Sequence, residues 1–227
     1  MPTALIVGAS RTIGLGLTAE LLRRGWDAVG TVRGPRRTAL HDLAGRSDGR
    51  LTVEELEMTD AASRAALHRR LTGRTLDLLL VSAAITNGDQ PIGDVDEQTF
   101  TRVMTTNAYA PMRVVETLLP LVSPAGTVGV LSSSQGSLTL NTNGGHEVYR
   151  ASKSALNQLM RSFAARHAGD PRPLLLINPG WVRTDLGGPG AVLTVDQSAT
   201  GVIDTVLAQH GKPGLQFLDH RGQTVPW

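Results

Sequence analysis

An apolar run of four residues, Ala4-Leu-Ile-Val7, passes directly into Gly8-Ala-Ser-Arg-Thr-Ile-Gly14, and a second apolar run, Ala28-Val-Gly-Thr-Val32, lies one helix further on. Between the two, Ile13, Leu17 and Leu21 recur at the spacing of one helical face. Strand, glycine-bearing turn, amphipathic helix and strand in so short a span make a βαβ unit, which belongs to a parallel sheet. The turn has a chemical use as well. Where a helix follows a strand in this way, the backbone N–H groups of its first turn are free to hold a pyrophosphate.

The alternation continues along the chain. Leu51 to Leu56 reads as a strand, Ala61 to Leu71 as a helix with Ala62, Ala65, Ala66 and Leu67 inward, and Leu76 to Val81 as a strand buried on both faces. A helical tract runs from about Asp96 to Leu119. Pro111 has no N–H for the Asn107 carbonyl, so a kink or break is expected near Asn107. Thr127 to Ser132 is the next strand, Val148 to His167 the next helix, and Leu174 to Ile177 the next strand. A last helix from Val195 to His210 and a strand from Leu215 to Leu218 close the series. These repeated units predict an α/β fold, a Rossmann-type doubly wound parallel sheet of about seven strands with helices on both faces. No linker, repeat or low-complexity segment divides it, so residues 1–227 are expected to form a single domain. Ligands of such sheets bind beyond the carboxyl ends of the strands. The polar, glycine-rich segments 8–14, 82–93, 132–145 and 178–190 all fall there.

Composition removes several function classes. A content of 41% hydrophobic and 19% charged residues suits a soluble globular chain. A net charge of only +2 gives no electrostatic case for nucleic acid. The absence of cysteine excludes disulfides and thiolate chemistry, and the six scattered histidines lack metal-ligand spacing, so no metal is expected. No apolar run reaches membrane-spanning length, and the N-terminus lacks the pattern of a secretion signal; a cytoplasmic protein is the expectation.

On the predicted helix 148–167, Tyr149 and Lys153 stand one turn apart on a single face. A phenol ordinarily releases its proton near pH ~10, and a neighbouring cation favours the phenolate. The pair is therefore expected to make the Tyr149 proton transferable closer to neutral pH, as a general acid for a carbonyl oxygen. By themselves the two residues also suit an ordinary surface helix start.

The order and spacing of Gly8, Thr12 and Gly14, of Asn107, of Ser133, of Tyr149-x-x-x-Lys153 and of Pro179-Gly-Trp-Val-Arg-Thr184 resemble the short-chain dehydrogenase/reductase family over essentially the whole chain. The segments Ser132 to Ser137, Tyr149 to Asn157, Asn178 to Gly188 and Asp219 to Trp227 resemble, within it, the C-factor and Sniffer-like carbonyl reductases. The resemblance implies an NADPH-dependent oxidoreductase that reduces a ketone or aldehyde, or oxidises the alcohol. It implies four catalytic residues: Tyr149 as general acid, Ser133 bonding the substrate oxygen, Lys153 on the nicotinamide ribose, and Asn107 holding a relay water. Ser133 is preferred to Ser132 and Ser134 because it stands three residues before Gly136, as in the family pattern.

Cofactor contacts are implied at Gly8, Ser10, Arg11, Thr12, Ile13 and Gly14, at Arg33, at Glu57 and Met58, and at Ser82, Ala83 and Ala84. Others are implied at Tyr149 and Lys153, and at Pro179, Gly180, Val182 and Thr184. Thr184 either meets the nicotinamide carboxamide or caps the next segment. Trp181 either lines the pocket or packs in the core, and His146 is either a second acid or a solvated loop residue. The substrate is expected between residues 135–146 and 181–195, where Gly187-Gly-Pro-Gly190 has the composition of a mobile lid. Family habit implies a homodimer or homotetramer packed through helices near residues 110–119 and 149–167.

Three positions depart from the family pattern: Thr12 replaces the middle glycine, Ser82-Ala83-Ala84 replaces Asn-Ala-Gly, and Glu57 replaces an adenine-contacting Asp. For NAD an acid is expected after the second strand; the chain has Thr31-Val-Arg33 instead. Arg33 and Arg11 can pair with a 2′-phosphate, which favours NADP(H) over NAD(H). Arg36 and Arg37 read as a solvated helix start. The rival expectation is a dinucleotide-binding signalling or regulatory protein that keeps the fold with little turnover.

Overall fold

Strands that are apolar on both faces settle into one sheet, covered on both sides. The computed structural model describes residues 1–227. The strands are β1 (Thr3–Val7), β2 (Asp27–Val32), β3 (Leu51–Glu55), β4 (Leu76–Val81), β5 (Val122–Leu131), β6 (Pro173–Asn178) and β7 (Gly214–Asp219). They pair in the order β3-β2-β1-β4-β5-β6-β7, and every pair is parallel.

Between them run α1 (Thr12–Arg23), α2 (Ala39–Ala44), α3 (Ala61–Leu71), α4 (Glu97–Met104), α5 (Ala110–Leu118), α6 (Glu147–Arg166) and α7 (Val195–Leu207). Alternate strand residues feed two separate cores. Leu5, Val7, Leu79, Val81, Leu174 and Leu176 pack with Leu67, Val114, Leu156 and Phe163 of α3, α5 and α6. Ile6, Leu78, Leu80, Leu175 and Ile177 pack with Leu17, Leu21, Leu40 and Val202 of α1, α2 and α7. The expected doubly wound α/β sheet is therefore present, with seven strands. The chain runs outward from β1 to β3, then returns to place β4 on the other side of β1, which opens a crevice above the carboxyl ends of those two strands.

The tract before Leu119 divides as Pro111 requires. Helices α4 and α5 are joined by a π-helical turn, Thr105–Tyr109, that contains Asn107. Other expectations are corrected. Ala62 and Ala65 of α3 face solvent, and the inward face is Arg64, Leu67 and Leu71. Asp60 caps the helix through the N–H groups of Ala62 and Ser63, and this start sets the register. Arg64 is buried because its guanidinium donates to the Met58 carbonyl at 2.6 Å. Strand β5 begins at Val122 rather than Thr127, α7 ends at Leu207 rather than His210, and the helix start read at Arg36 and Arg37 falls two residues later, where α2 begins at Ala39. Thr38 and His41 form a reciprocal cap that stabilises this short helix. No helix is long and apolar enough to cross a membrane.

Candidate active site

The crevice is a cleft of about 1800 Å³. A pocket for one drug-sized ligand occupies roughly 300–1,000 Å³, so this cleft has room for a large ligand and a second molecule together. All four polar segments named from the sequence contribute to its wall: residues 8 and 10–14, 82–86, 132–135, and 178–182 with 184–187.

The wall nearest β1 suits an anion. Helices α3, α4 and α7 each carry a side-chain cap, from Asp60, Asp96 and Thr194. Helix α1 has none, so its first N–H groups are left for something else. The turn that leads into it is tight. A Cβ on Gly14 would overlap the Gly8 carbonyl oxygen, and one on Gly8 would come within 2.8 Å of the Ala83 side chain. The Gly8 N–H is held by the Thr31 hydroxyl at 3.0 Å, a supporting contact from β2 that the sequence did not announce. Thr12 takes φ 47, the left-handed region that a glycine would occupy freely. The backbone keeps its course here despite the threonine, at a strain on the order of 1–3 kcal/mol.

Three arginines line this end of the cleft. Arg11 reaches across its mouth to Asp185 at 3.0 Å, Arg33 lies 3.9 Å from Glu57, and Arg36, which the sequence had assigned to solvent, also faces the cleft. Arg37 instead pairs with Asp42. An uncapped helix, a glycine cradle and three cations, with no acid directly after β2, make a donor set that fits a phosphorylated dinucleotide.

At the other end, α6 delivers Tyr149 and Lys153 into the cleft. Both are buried. Burial pushes the Tyr149 phenol up to about 12, with the Ser133 side chain pulling it part of the way back, and pushes Lys153 down to about 8. This corrects the sequence-based picture. The phenol is raised rather than lowered, because desolvation, which disfavours the charged form of each, is the largest cause of both shifts. The Lys153 Nζ lies 5.8 Å from the Tyr149 ring centroid and donates to the Leu131 carbonyl at 2.9 Å.

The neighbouring serines separate cleanly. Ser132 is buried and donates to Asn157 Oδ1 at 2.6 Å, while Ser133 faces Tyr149. Asn107, fully buried, brackets the Ile85 backbone: its Oδ1 accepts from the Ile85 N–H and its Nδ2 donates to the Ile85 carbonyl, both at 2.8 Å. The same Nδ2 donates to Ser152 Oγ at 3.0 Å, and Ser152 donates to the Tyr149 carbonyl at 2.7 Å.

Of the remaining expected residues, Gly8, Ser10, Ile13, Gly14, Glu57, Met58, Ser82, Ala83, Ala84, Pro179, Gly180, Val182 and Thr184 all line the cleft. Thr184 accepts from the Gly187 N–H at 3.0 Å, so its hydroxyl closes a turn. Trp181 is 56% exposed and donates to the Gly187 carbonyl, which excludes the core reading. His146 lines the cleft in a left-handed conformation. No group of three or more His, Asp or Glu side chains is arranged to hold a metal.

Fold and site together are those of a Rossmann-type oxidoreductase. Residues 2–190 match the family described as short chain dehydrogenase. The C-signal protein of Myxococcus xanthus is 35% identical over 154 residues, which cover 67% of this chain and 93% of that one. Among solved structures, a short-chain dehydrogenase/reductase from Burkholderia multivorans with bound NADP superposes with a TM-score of 0.97 at 54% identity, covering 100% of this chain and 99% of its own. The carbonyl reductase Sniffer of D. melanogaster gives a TM-score of 0.89 at 27% identity, with both chains fully covered. The chain belongs to the short-chain dehydrogenase family, in its carbonyl reductase-like branch.

Proposed function

We propose that this chain is an NADPH-dependent carbonyl reductase, acting on a ketone or aldehyde or on the corresponding alcohol in reverse. The observation that carries the proposal is the buried Tyr149 and Lys153 pair beside Ser133, facing a phosphate-suited turn in one cleft. Bound NADPH supplies a hydride to the carbonyl carbon. The chain supplies the rest. Held protonated by burial, Tyr149 donates its Oη proton to the carbonyl oxygen, and the Ser133 hydroxyl bonds that oxygen as charge gathers on it. Lys153, pushed down to about 8, is a proton donor poised near neutral pH, and it favours the phenolate once Tyr149 has given its proton up.

The Asn107 side chain is committed to Ile85 and Ser152, so its part in a water relay falls to its main-chain carbonyl, for which Pro111 has no N–H. Gly8 to Gly14, Ser82 to Ala84 and Pro179 to Thr184, which line the cleft, would hold the cofactor, with Glu57 and Met58 on its adenine. Arg11 and Arg33 on the 2′-phosphate favour NADPH over NADH. A homodimer or homotetramer and a cytoplasmic setting belong to the same proposal.

Titration with NADPH and NADH, followed by reduction of a panel of ketones and aldehydes, tests it. Selective NADPH binding and a Tyr149→Phe variant slowed by about 10²–10⁴-fold are expected. Turnover that survives Tyr149→Phe removes the mechanism. The likeness to C-signal favours a second reading, a dinucleotide-binding signalling or regulatory protein with little turnover. Tight NADPH binding without reduction of any carbonyl in the panel would select it.

A further inference from the structure

Helix α6, which carries Tyr149 and Lys153, begins in an unusual way. Gly144, Gly145 and His146 take φ 66, 71 and 47, three successive residues in the left-handed region. His146 does so against its steric preference, and no side chain caps the helix it starts. Something else must hold this turn. Asp89, from the loop between β4 and α4, accepts the His146 N–H at 2.7 Å, and its carboxylate lies against Gly145, where a Cβ would come 3.2 Å from Oδ1. Arg150 grips the same turn from the other side, donating from Nε to the Gly145 carbonyl at 2.9 Å.

The contact is returned. Glu147, the first residue of α6, accepts the Ile92 N–H from the Asp89 loop at 2.9 Å. Each segment thus offers one carboxylate to one amide of the other. The loop is anchored at its inner end too, where Asn107 brackets Ile85. Ile85, Thr86 and His146 all line the cleft, but Asp89 and Glu147 do not.

We infer that Asp89 and Glu147 form a reciprocal clasp that fixes the start of α6 against the β4–α4 loop and so positions Tyr149 beside the carbonyl substrate. They are positioning residues, since neither reaches the cleft. The inference rests on the reading of Tyr149 as the proton donor. It sets the substrate side of the cleft apart from the nucleotide side, because the clasp's bonds run only between the β4–α4 loop and the start of α6. Loss of the clasp therefore acts on carbonyl reduction and leaves nucleotide affinity alone.

Two measurements on the full chain test it. In hydrogen–deuterium exchange, Asp89→Ala should speed exchange at residues 146–150 as well as in its own loop, and Glu147→Ala should speed it at residues 90–94. With NADPH and 4-nitrobenzaldehyde, Asp89→Ala should lower kcat/KM by about three- to tenfold while the NADPH Kd stays within about twofold, and Asp89→Asn, which keeps the accepting oxygen, should recover most of the loss. Because both bonds fasten one pair of segments, the Asp89→Ala/Glu147→Ala double variant should fall little below either single one. Unchanged exchange at residues 146–150 in Asp89→Ala would overturn the clasp, as would an equal loss of NADPH affinity. A failure of the Tyr149 mechanism would leave the exchange result standing, so the two are told apart.

Discussion

Replacing Lys153 by Met probes the electrostatics of the site through stability rather than turnover. Burial holds the folded-state pKa at about 8, against 10.5 for an exposed lysine. Between those values the unfolded chain binds more protons than the folded one, so wild-type stability rises with pH across that window and is lowest below it. For one such site the penalty is roughly 3 kcal/mol at pH ~7 and roughly 1.5 kcal/mol at pH ~9.5. Met fills similar space without a charge, and its variant has no such slope. Penalties independent of pH, such as the Leu131 carbonyl left without its partner, cancel when the two proteins are compared at a series of pH values. Tyr149 does not disturb the comparison. Its pKa is pushed up to about 12, so its own effect, a loss of stability, begins only as pH passes the unfolded value of 10.0. Urea unfolding followed by tryptophan fluorescence should find wild type gaining about 2 kcal/mol on Lys153→Met between pH ~7 and pH ~9.5. A difference constant to within about 0.5 kcal/mol would refute the claim that burial sets the Lys153 proton affinity.

Gly14→Ala should destabilise the chain by about 2 kcal/mol and abolish NADPH binding, because the new methyl overlaps the Gly8 carbonyl; thermal unfolding and fluorescence titration report the two effects. Arg33→Asp should weaken NADPH by about 10- to 100-fold and leave NADH nearly unchanged, and equal effects on both nucleotides would remove Arg33 from the 2′-phosphate. Asp60→Ala, which removes the cap of α3, should cost about 1 kcal/mol and lower Tm by about 3 °C with nucleotide affinity intact.

The strands were legible because a strand covered on both faces must be apolar through its middle, and Ala4 to Val7 or Leu78 to Val81 has no other use. Where that pressure relaxes, the reading failed. The first residues of β5, Val122-Ser-Pro-Ala-Gly126, are half solvated and carry a proline, so nothing marked them as strand. Helix α3 is rich in alanine, which indicates a helix without indicating which side faces in, and the buried face turned on Arg64, whose partner is a backbone carbonyl. At the site, motif spacing placed Tyr149, Lys153, Ser133 and Asn107 in one region. It could not give the sign of the Tyr149 shift, because desolvation depends on what covers the ring. Nor could it show Asp89, an exposed loop acid, and Glu147, the exposed first residue of α6, whose partners lie 57 and 55 residues away.

The order of the strands has a consequence for how the molecule comes into being. Strand β1 pairs with β2, which follows it after one helix, but its other edge is filled by β4, after β2, α2, β3 and α3 have all been laid down. During synthesis that edge stays bare until Leu76 to Val81 has left the ribosome, a template for pairing with other chains over the whole interval. The crevice lies on the same seam, so it exists in neither half of the nascent chain. Nucleotide captured there can stabilise only a sheet whose seam has closed, and it draws the final joining forward without touching the steps before it.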